Sequence, residues 1–550
     1  MCSEGTTRCD PSSQLSRRDM LRLGLAGGGA VAATPLLGRL TRSPDGVTLQ
    51  SSSGSSGDIP DPPSFPHFSQ ELKVPRVLTG TTRNGRTAYR VTQAPTALQI
   101  LPAPFPKTTL WTFEGSFPGP TIRQQRGGPL TFVDNTNHLP KGNPYSTHLH
   151  GSPTQPFYDG HPDILVGVGA TKRYYYPNNE SVRTLWYHDH AIHQTADHVY
   201  RGLAGFFLHE PSAAEAARAP FNELPRGAYD VPLLLNDLQY TPQGQLFFDD
   251  HGEDSLFGNV QLVNGVPWPF MRVDPTMYRF RILVATVSRG FNFRLSNGMP
   301  FTVIGNDAGL VPNKVSVTSF RQGMAERYEV VIDFSSLAGQ SVTLLNTAAD
   351  DQMRDVMRFV VGTNRDVPRF SVPTELAEPD FPSAADVVNT RNFRFERSGG
   401  LWVINGLPWD RRVVATVRAN TTERWFFENK SGGWFHPVHV HLVDFKIVSR
   451  NGRPAFPYES GLKDVVYVGP NERTELLMHF RQALEVDEAP HAPVLGKYVM
   501  HCHNLVHEDH DMMSEFDNRG RAGADAHGTQ TMGTPRKMPP SMMVQWELRA

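Results

Sequence analysis

The stretch His501-Cys502-His503-Asn504-Leu505-Val506-His507-Glu508-Asp509-His510-Asp511-Met512 constrains this chain more than any other. It offers a thiol, spaced imidazoles and a thioether within a few turns of backbone. One Cys, one spaced His and one spaced Met belong to the ligand set of a blue-copper electron-transfer site. The two histidines flanking Cys502 have no place in such a site. If residues 501–503 are extended, successive side chains alternate faces, so Cys502 points one way and His501 and His503 the other. The spacing therefore predicts two metal centres back to back, joined by one length of backbone.

The missing ligands stand in three further blocks: His148-Leu149-His150-Gly151, His188-Asp189-His190, and His436-Pro437-Val438-His439-Val440-His441. In a strand, His-x-His puts both imidazoles on one face. Four such pairs (148/150, 188/190, 439/441 and 501/503) supply eight imidazoles, enough to surround three metal ions. His436 is out of phase with His439 and faces the side that Cys502 takes. His507 and Met512 lie beyond the strand and are expected to close the thiolate site from a loop. His507, on that loop, is the expected point where electrons enter. His193, His198 and His510 read as surface or supporting imidazoles, and Asp189 as a supporting or surface group. Acids beside a cluster of metal ions can relay protons to and from it. Asp159, nine residues after His150, and Glu508, next to His507, are the candidates.

The chain has 550 residues, too many for one domain and suited to three of about 150 each. Its 47 Gly and 45 Pro suit an all-β chain with many turns. The motif Val263-Asn264-Gly265-Val266-Pro267-Trp268 is echoed by Ile404-Asn405-Gly406-Leu407-Pro408-Trp409, and more weakly at Gly115-Ser116-Phe117-Pro118. A β-rich run follows each echo. Three copies of one β-sandwich unit are expected. The middle copy contains His251 but no His-x-His, and reads as a spacer between the ligand-bearing copies. The expected division is a leader at 42–66, domain one at 67–220, domain two at 221–370 and a linker with domain three at 371–550. A formal net charge of −2 gives no reason to expect nucleic acid as a partner.

Ser16-Arg17-Arg18-Asp19-Met20-Leu21 precedes an apolar run rich in Gly and Ala. Residues 1–41 read as a twin-arginine signal peptide, which sends folded proteins to the periplasm or beyond. The run is too short for a membrane span. Cys2 and Cys9 fall in this segment, leaving Cys502 as the lone thiol of the mature chain. A short docking strand is expected at Met542–Leu548.

These blocks, in this order, resemble the multicopper oxidases. The likeness is nearest to the branch of spore-coat laccase, bilirubin oxidase and phenoxazinone synthase, through Trp186–His190, Ala325–Phe334 and His507–Met513. The resemblance implies three cupredoxin-like Greek-key β-sandwich domains and four copper ions. Type 1 copper would take His436, Cys502, His507 and Met512. Type 2 would take His148 and His439. The type 3 pair would take His150, His188, His190, His441, His501 and His503. It also implies a monomeric, laccase-like oxidase. Electrons from phenols, aminophenols or bilirubin-like pigments would go to molecular oxygen. Two alternatives remain: a metallo-oxidase of Cu(I) or Mn(II), and a copper-free structural relative serving in cell division.

Overall fold

The computed structural model describes residues 60–410, 412–481 and 496–519. The signal-like segment, most of the leader and the expected strand at Met542–Leu548 lie outside the described residues. No described helix is long and apolar enough to cross a membrane.

The architecture is all-β, and its sheets come in pairs along the chain. Residues 81–210 form a five-stranded and a four-stranded sheet, residues 230–361 an eight- and a five-stranded one, and residues 387–517 a six- and a five-stranded one. Each pair is a cupredoxin-like sandwich. Each has its own apolar core, exemplified by Phe113 and Tyr174 in the first, Phe280 and Phe359 in the second, and Phe427 and Tyr498 in the third. Alternating burial along strands such as Leu130–Asn137 reflects one face turned to that core.

The echoed motif is a hairpin turn in all three copies. Phe113 bridges Ser116, Val263 pairs with Val266, and Ile404 bridges Leu407. Both central residues of each turn have positive φ: Glu114 and Gly115, Asn264 and Gly265, Asn405 and Gly406. That conformation belongs to the tight turn whose twist matches paired strands, which explains the Asn-Gly pairs. A strand further on from each turn pairs in parallel with the long strand near the start of its copy: Leu130–Asn137 with Arg86–Leu98, Met277–Val284 with Asp230–Tyr240, Thr421–Asn429 with Val387–Ser398.

Two sheets carry the histidine blocks. In the four-stranded sheet, strand Thr147–His150 pairs antiparallel with Thr184–Asp189, setting His148 opposite His188. In the last five-stranded sheet, His436–Val440 pairs with Lys497–Cys502, setting His439 opposite His501 and Val438 opposite Cys502.

Candidate metal centre

Eight imidazoles converge where those two sheets meet. His148 stacks on His441 with ring centroids 3.9 Å apart, and His150 stacks on His439 at 3.7 Å. His439 Nε2 lies 3.4 Å from His148 Nε2. His501 Nε2 lies 3.2 Å from His190 Nε2 and 3.3 Å from His441 Nε2. His503 sits 5.3 Å, centroid to centroid, from both His150 and His188. Three sets of donor atoms are close enough to share ions: His148, His150 and His439; His150, His188 and His503; and His190, His441 and His501. All eight rings are buried.

The outer ring nitrogens are tied down. His148 Nδ1 donates to the Asp159 carbonyl, His439 Nδ1 to the Asp464 carbonyl (2.8 Å) and His188 Nδ1 to the Asp189 carbonyl (2.8 Å). His441 Nδ1 reaches Asp159 Oδ2 at 2.7 Å, His150 Nε2 reaches Asp464 Oδ1 at 3.1 Å, and His501 Nδ1 reaches Glu508 Oε2 at 2.8 Å. By contrast His150 Nδ1, His188 Nε2 and both nitrogens of His503 are buried without a protein partner. Burial pushes all eight imidazoles below their usual range, to about 4 for His190 and about 3 for His501. They are neutral, with lone pairs free to bind a metal. Buried imidazole nitrogens without partners, converging from two sheets, fit a group of metal ions.

The opposite face of the same strands carries the thiol site. Cys502 Sγ lies 3.3 Å from His436 Nδ1 and 3.8 Å from His507 Nδ1, and those two nitrogens are 3.3 Å apart. Met512 is buried in the same apolar cluster as Cys502. Main-chain bonds from Cys502 to Met512 (3.0 Å) and from Met512 to His507 (2.9 Å) hold it there. Burial pushes the Cys502 thiol well above its usual range, and burial pushes His436 to about 3. A thiolate at this place needs a cation, and two neutral imidazoles plus a thioether complete a copper-type donor set.

His507 departs from expectation. It belongs to a short helix, Leu505–Asp509, and is fully buried rather than exposed on a loop. Trp402 stacks on it at 3.8 Å, and its Nε2 meets the Asp254 carbonyl at 3.1 Å. Trp402 Nε1 donates to the Glu253 carbonyl at 2.9 Å, pinning that middle-copy loop over the ring. The acids here are exposed Glu253, paired with His510, and half-buried Asp254, paired with Arg397. Half-buried Trp434 lies 5.3 Å from His507.

Both candidate acids stand beside the histidines. Asp159 touches His148 and His441, and burial holds its carboxyl well above the usual range, opposed by Lys172. Glu508 lies beside His501 and 3.6 Å from His190, and burial pushes it up to about 7. Asp189 is buried and pairs with buried His198 at 3.0 Å, whereas His193 is exposed. Sequence reasoning missed Asp464, Arg327, Trp402 and the Asp254 carbonyl. For Asp464 a signal existed: Lys463-Asp464 is a charged pair opening the apolar run Val465–Val468.

Two family models, both described as multicopper oxidase, match residues 96–213 and 377–521. The bilirubin oxidase of Albifimbria verrucaria is 40% identical over 489 residues, covering 83% of this chain and 82% of that protein. The laccase of Bacillus subtilis (strain 168) is 32% identical, covering 82% of this chain and 98% of its own length. The crystal structure of a multi-copper oxidase from Pediococcus acidilactici superposes with a TM-score of 0.75 at 27% identity, over 85% of this chain and 95% of that one. With the histidine clusters, the sandwiches and these relatives in agreement, the chain belongs to the multicopper oxidase family, a family of oxidoreductases.

Proposed function

We propose that this chain is a laccase-like oxidase. It couples four one-electron oxidations of a phenolic, aminophenolic or bilirubin-like substrate to the four-electron reduction of O2 to two waters. One observation carries the reading: Cys502 lies beside His436 and His507, while its chain neighbours His501 and His503 join the eight-histidine cluster.

His436, Cys502, His507 and Met512 would hold a type 1 copper. His148 and His439 would hold a type 2 ion. His150, His188 and His503 would hold one type 3 ion, and His190, His441 and His501 the other. Bound copper supplies single-electron redox chemistry at the thiolate side and oxygen chemistry at the histidine side. The backbone of residues 501–503 offers a covalent path between the two donor sets. Glu508 and Asp159 hold protons next to the cluster for delivery to reduced oxygen. Trp402 and the Asp254 carbonyl exclude water from His507, so a reductant meets the surface around them rather than the imidazole itself. The 40% identical bilirubin oxidase supports pigment-like aromatic substrates.

Carboxylates near His507 favour a second reading, a metallo-oxidase of Cu(I) or Mn(II). Glu253 and Asp254 are both engaged in ion pairs, which favours the aromatic reading over it. The Ser16–Leu21 motif supports export of the folded chain by the twin-arginine machinery.

The test is an absorption spectrum and copper analysis of the loaded protein, with oxygen uptake on a panel of phenols, bilirubin, Cu(I) and Mn(II). A blue thiolate band, four coppers per chain and one O2 per four electrons from an aromatic donor are expected. Uptake with metal ions alone moves the assignment to the metallo-oxidases. A colourless, copper-free protein revives the structural reading.

A further inference from the structure

Within the proposed reading of the cluster, one acid holds two ligands at once. The Asp464 carboxylate takes His150 Nε2 at 3.1 Å, and its main-chain carbonyl takes His439 Nδ1 at 2.8 Å. These two rings stack on each other and belong to different sandwiches. His150 Nδ1 is the ring nitrogen without a protein partner, so Nε2 is the one that donates to the carboxylate. A carboxylate on the non-ligating nitrogen fixes both tautomer and ring direction.

Asp464 is in turn clamped by the middle sandwich. Arg327, fully buried on strand Arg327–Asp333, meets it with both guanidinium arms, Nη1 lying 2.6 Å from Oδ1. The same guanidinium donates from Nε to the Thr184 carbonyl at 2.9 Å, at the start of the strand that leads to His188. Asp307 Oδ1 accepts from the Arg327 main chain at 2.7 Å, and its Oδ2 accepts from the main-chain nitrogens of Asp464 and Val465 at 3.2 Å. Gly151 completes the cradle. A Cβ there would lie 2.8 Å from Asp464 Oδ2 and 2.9 Å from Arg327 Nη2, so the residue after His150 must lack one.

We infer that the Arg327–Asp464 pair is a positioning device for the histidine cluster, by which the copper-free middle sandwich sets the direction of His150 and His439. Neither residue touches oxygen or substrate. Arg suits the task because its planar fork matches a carboxylate in two places, which a Lys ammonium cannot do.

The experiment uses the full chain carrying Asp464→Asn, which is nearly isosteric and keeps the main-chain bond to His439. Partners of this kind are worth about 10–100-fold in metal affinity or activity. The expected result is selective. The blue thiolate band stays at full strength while bound copper falls below the wild-type content and oxygen uptake drops at least about tenfold. Arg327→Lys, which keeps the charge but loses the fork, is expected to show the same pattern more weakly. A merely structural role predicts a different pattern: a lower Tm, with full copper content, oxygen uptake and the blue band intact in the folded protein. That outcome overturns the inference. So does equal loss of the thiolate band and the cluster copper in both variants. If Asp464→Asn does not fold, Arg327→Lys carries the same decision. The failure is distinguishable from failure of the functional reading, because wild-type protein alone decides that.

Discussion

A Cβ built on Gly160 would lie 2.5 Å from both the Cα and the main-chain nitrogen of His148, at a φ of 74°. The glycine lets the turn after Asp159 press against the strand that carries His148 and His150. Gly160→Ala is therefore expected to displace that strand. It should lower the copper content of the purified protein and cost well over the about 1–2 kcal/mol of positive-φ strain alone, read as a lower Tm. Glu508 gives a second test at this scale. Glu508→Gln should keep the blue band, because the thiol site is untouched, and slow steady-state turnover by about 10²-fold or more. Equal rates at every pH would remove Glu508 from the proton path. The gathering of the eight paired histidines, and the separate grouping of His436 with Cys502, were legible in the sequence, since His-x-His and His-Cys-His set side chains on alternate faces of a strand. The burial of His507 was not. Trp402 and the Asp254 carbonyl cover it from chain positions far from its own, and neither residue type advertises that contact.

At the scale of elements, the three hairpin turns give a graded comparison. Gly406 has a φ of 75° and open space around its missing Cβ, the nearest atom being Glu396 Oε1 at 3.8 Å. Gly265 has the same φ, but its Cβ would meet the Phe117 carbonyl at 2.7 Å. Gly406→Ala is expected to cost only the backbone strain, about 1–2 kcal/mol, and Gly265→Ala clearly more. Thermal unfolding of both variants checks the order, and a reversed order would mean that the two turns are not equivalent. The Asn-Gly motif announced two of these turns. The first copy, with Glu114 in place of Asn, was fainter because Glu rarely adopts positive φ. The helix at Leu505–Asp509 was hidden for a different reason. It is five residues long and has no side-chain cap, so it leaves neither a periodic pattern nor a start signal.

For the whole molecule, charge buried where the first and middle sandwiches adjoin sets an acid limit. Burial alone would raise Asp230 and Glu329, but the guanidinium groups of Arg281 and Arg279 outweigh it and hold both carboxyls below their usual range. A lowered folded pKa means that the unfolded chain takes up protons first. The stabilisation is therefore complete above the ordinary carboxylate range and is lost as pH falls through the lower folded values. Tm should hold against this contribution down to about pH 4 and decline below it. Glu329→Gln should lose about 3–5 kcal/mol at neutral pH, because it strands buried arginines, and should converge toward wild type in acid. A constant gap at all pH values would show that the pair does not titrate with folding. The middle copy looked like a spacer in the sequence because it has no paired histidines. Its contribution is made by Arg327, Glu329 and the loop at Glu253 and Asp254, residue types that carry no signature until folding brings them to their partners.

His148 and His439 stand 291 residues apart in the chain, and His190 and His501 stand 311 apart. Nothing local can bring these rings together, so the cluster cannot be completed until the last sandwich has been made and docked. On the proposed reading, a blue band and oxygen uptake would therefore report that synthesis of the chain is complete. A polypeptide stopped short of residue 501 has three of the four histidine pairs but lacks the fourth, and with it Cys502, so it can complete neither donor set.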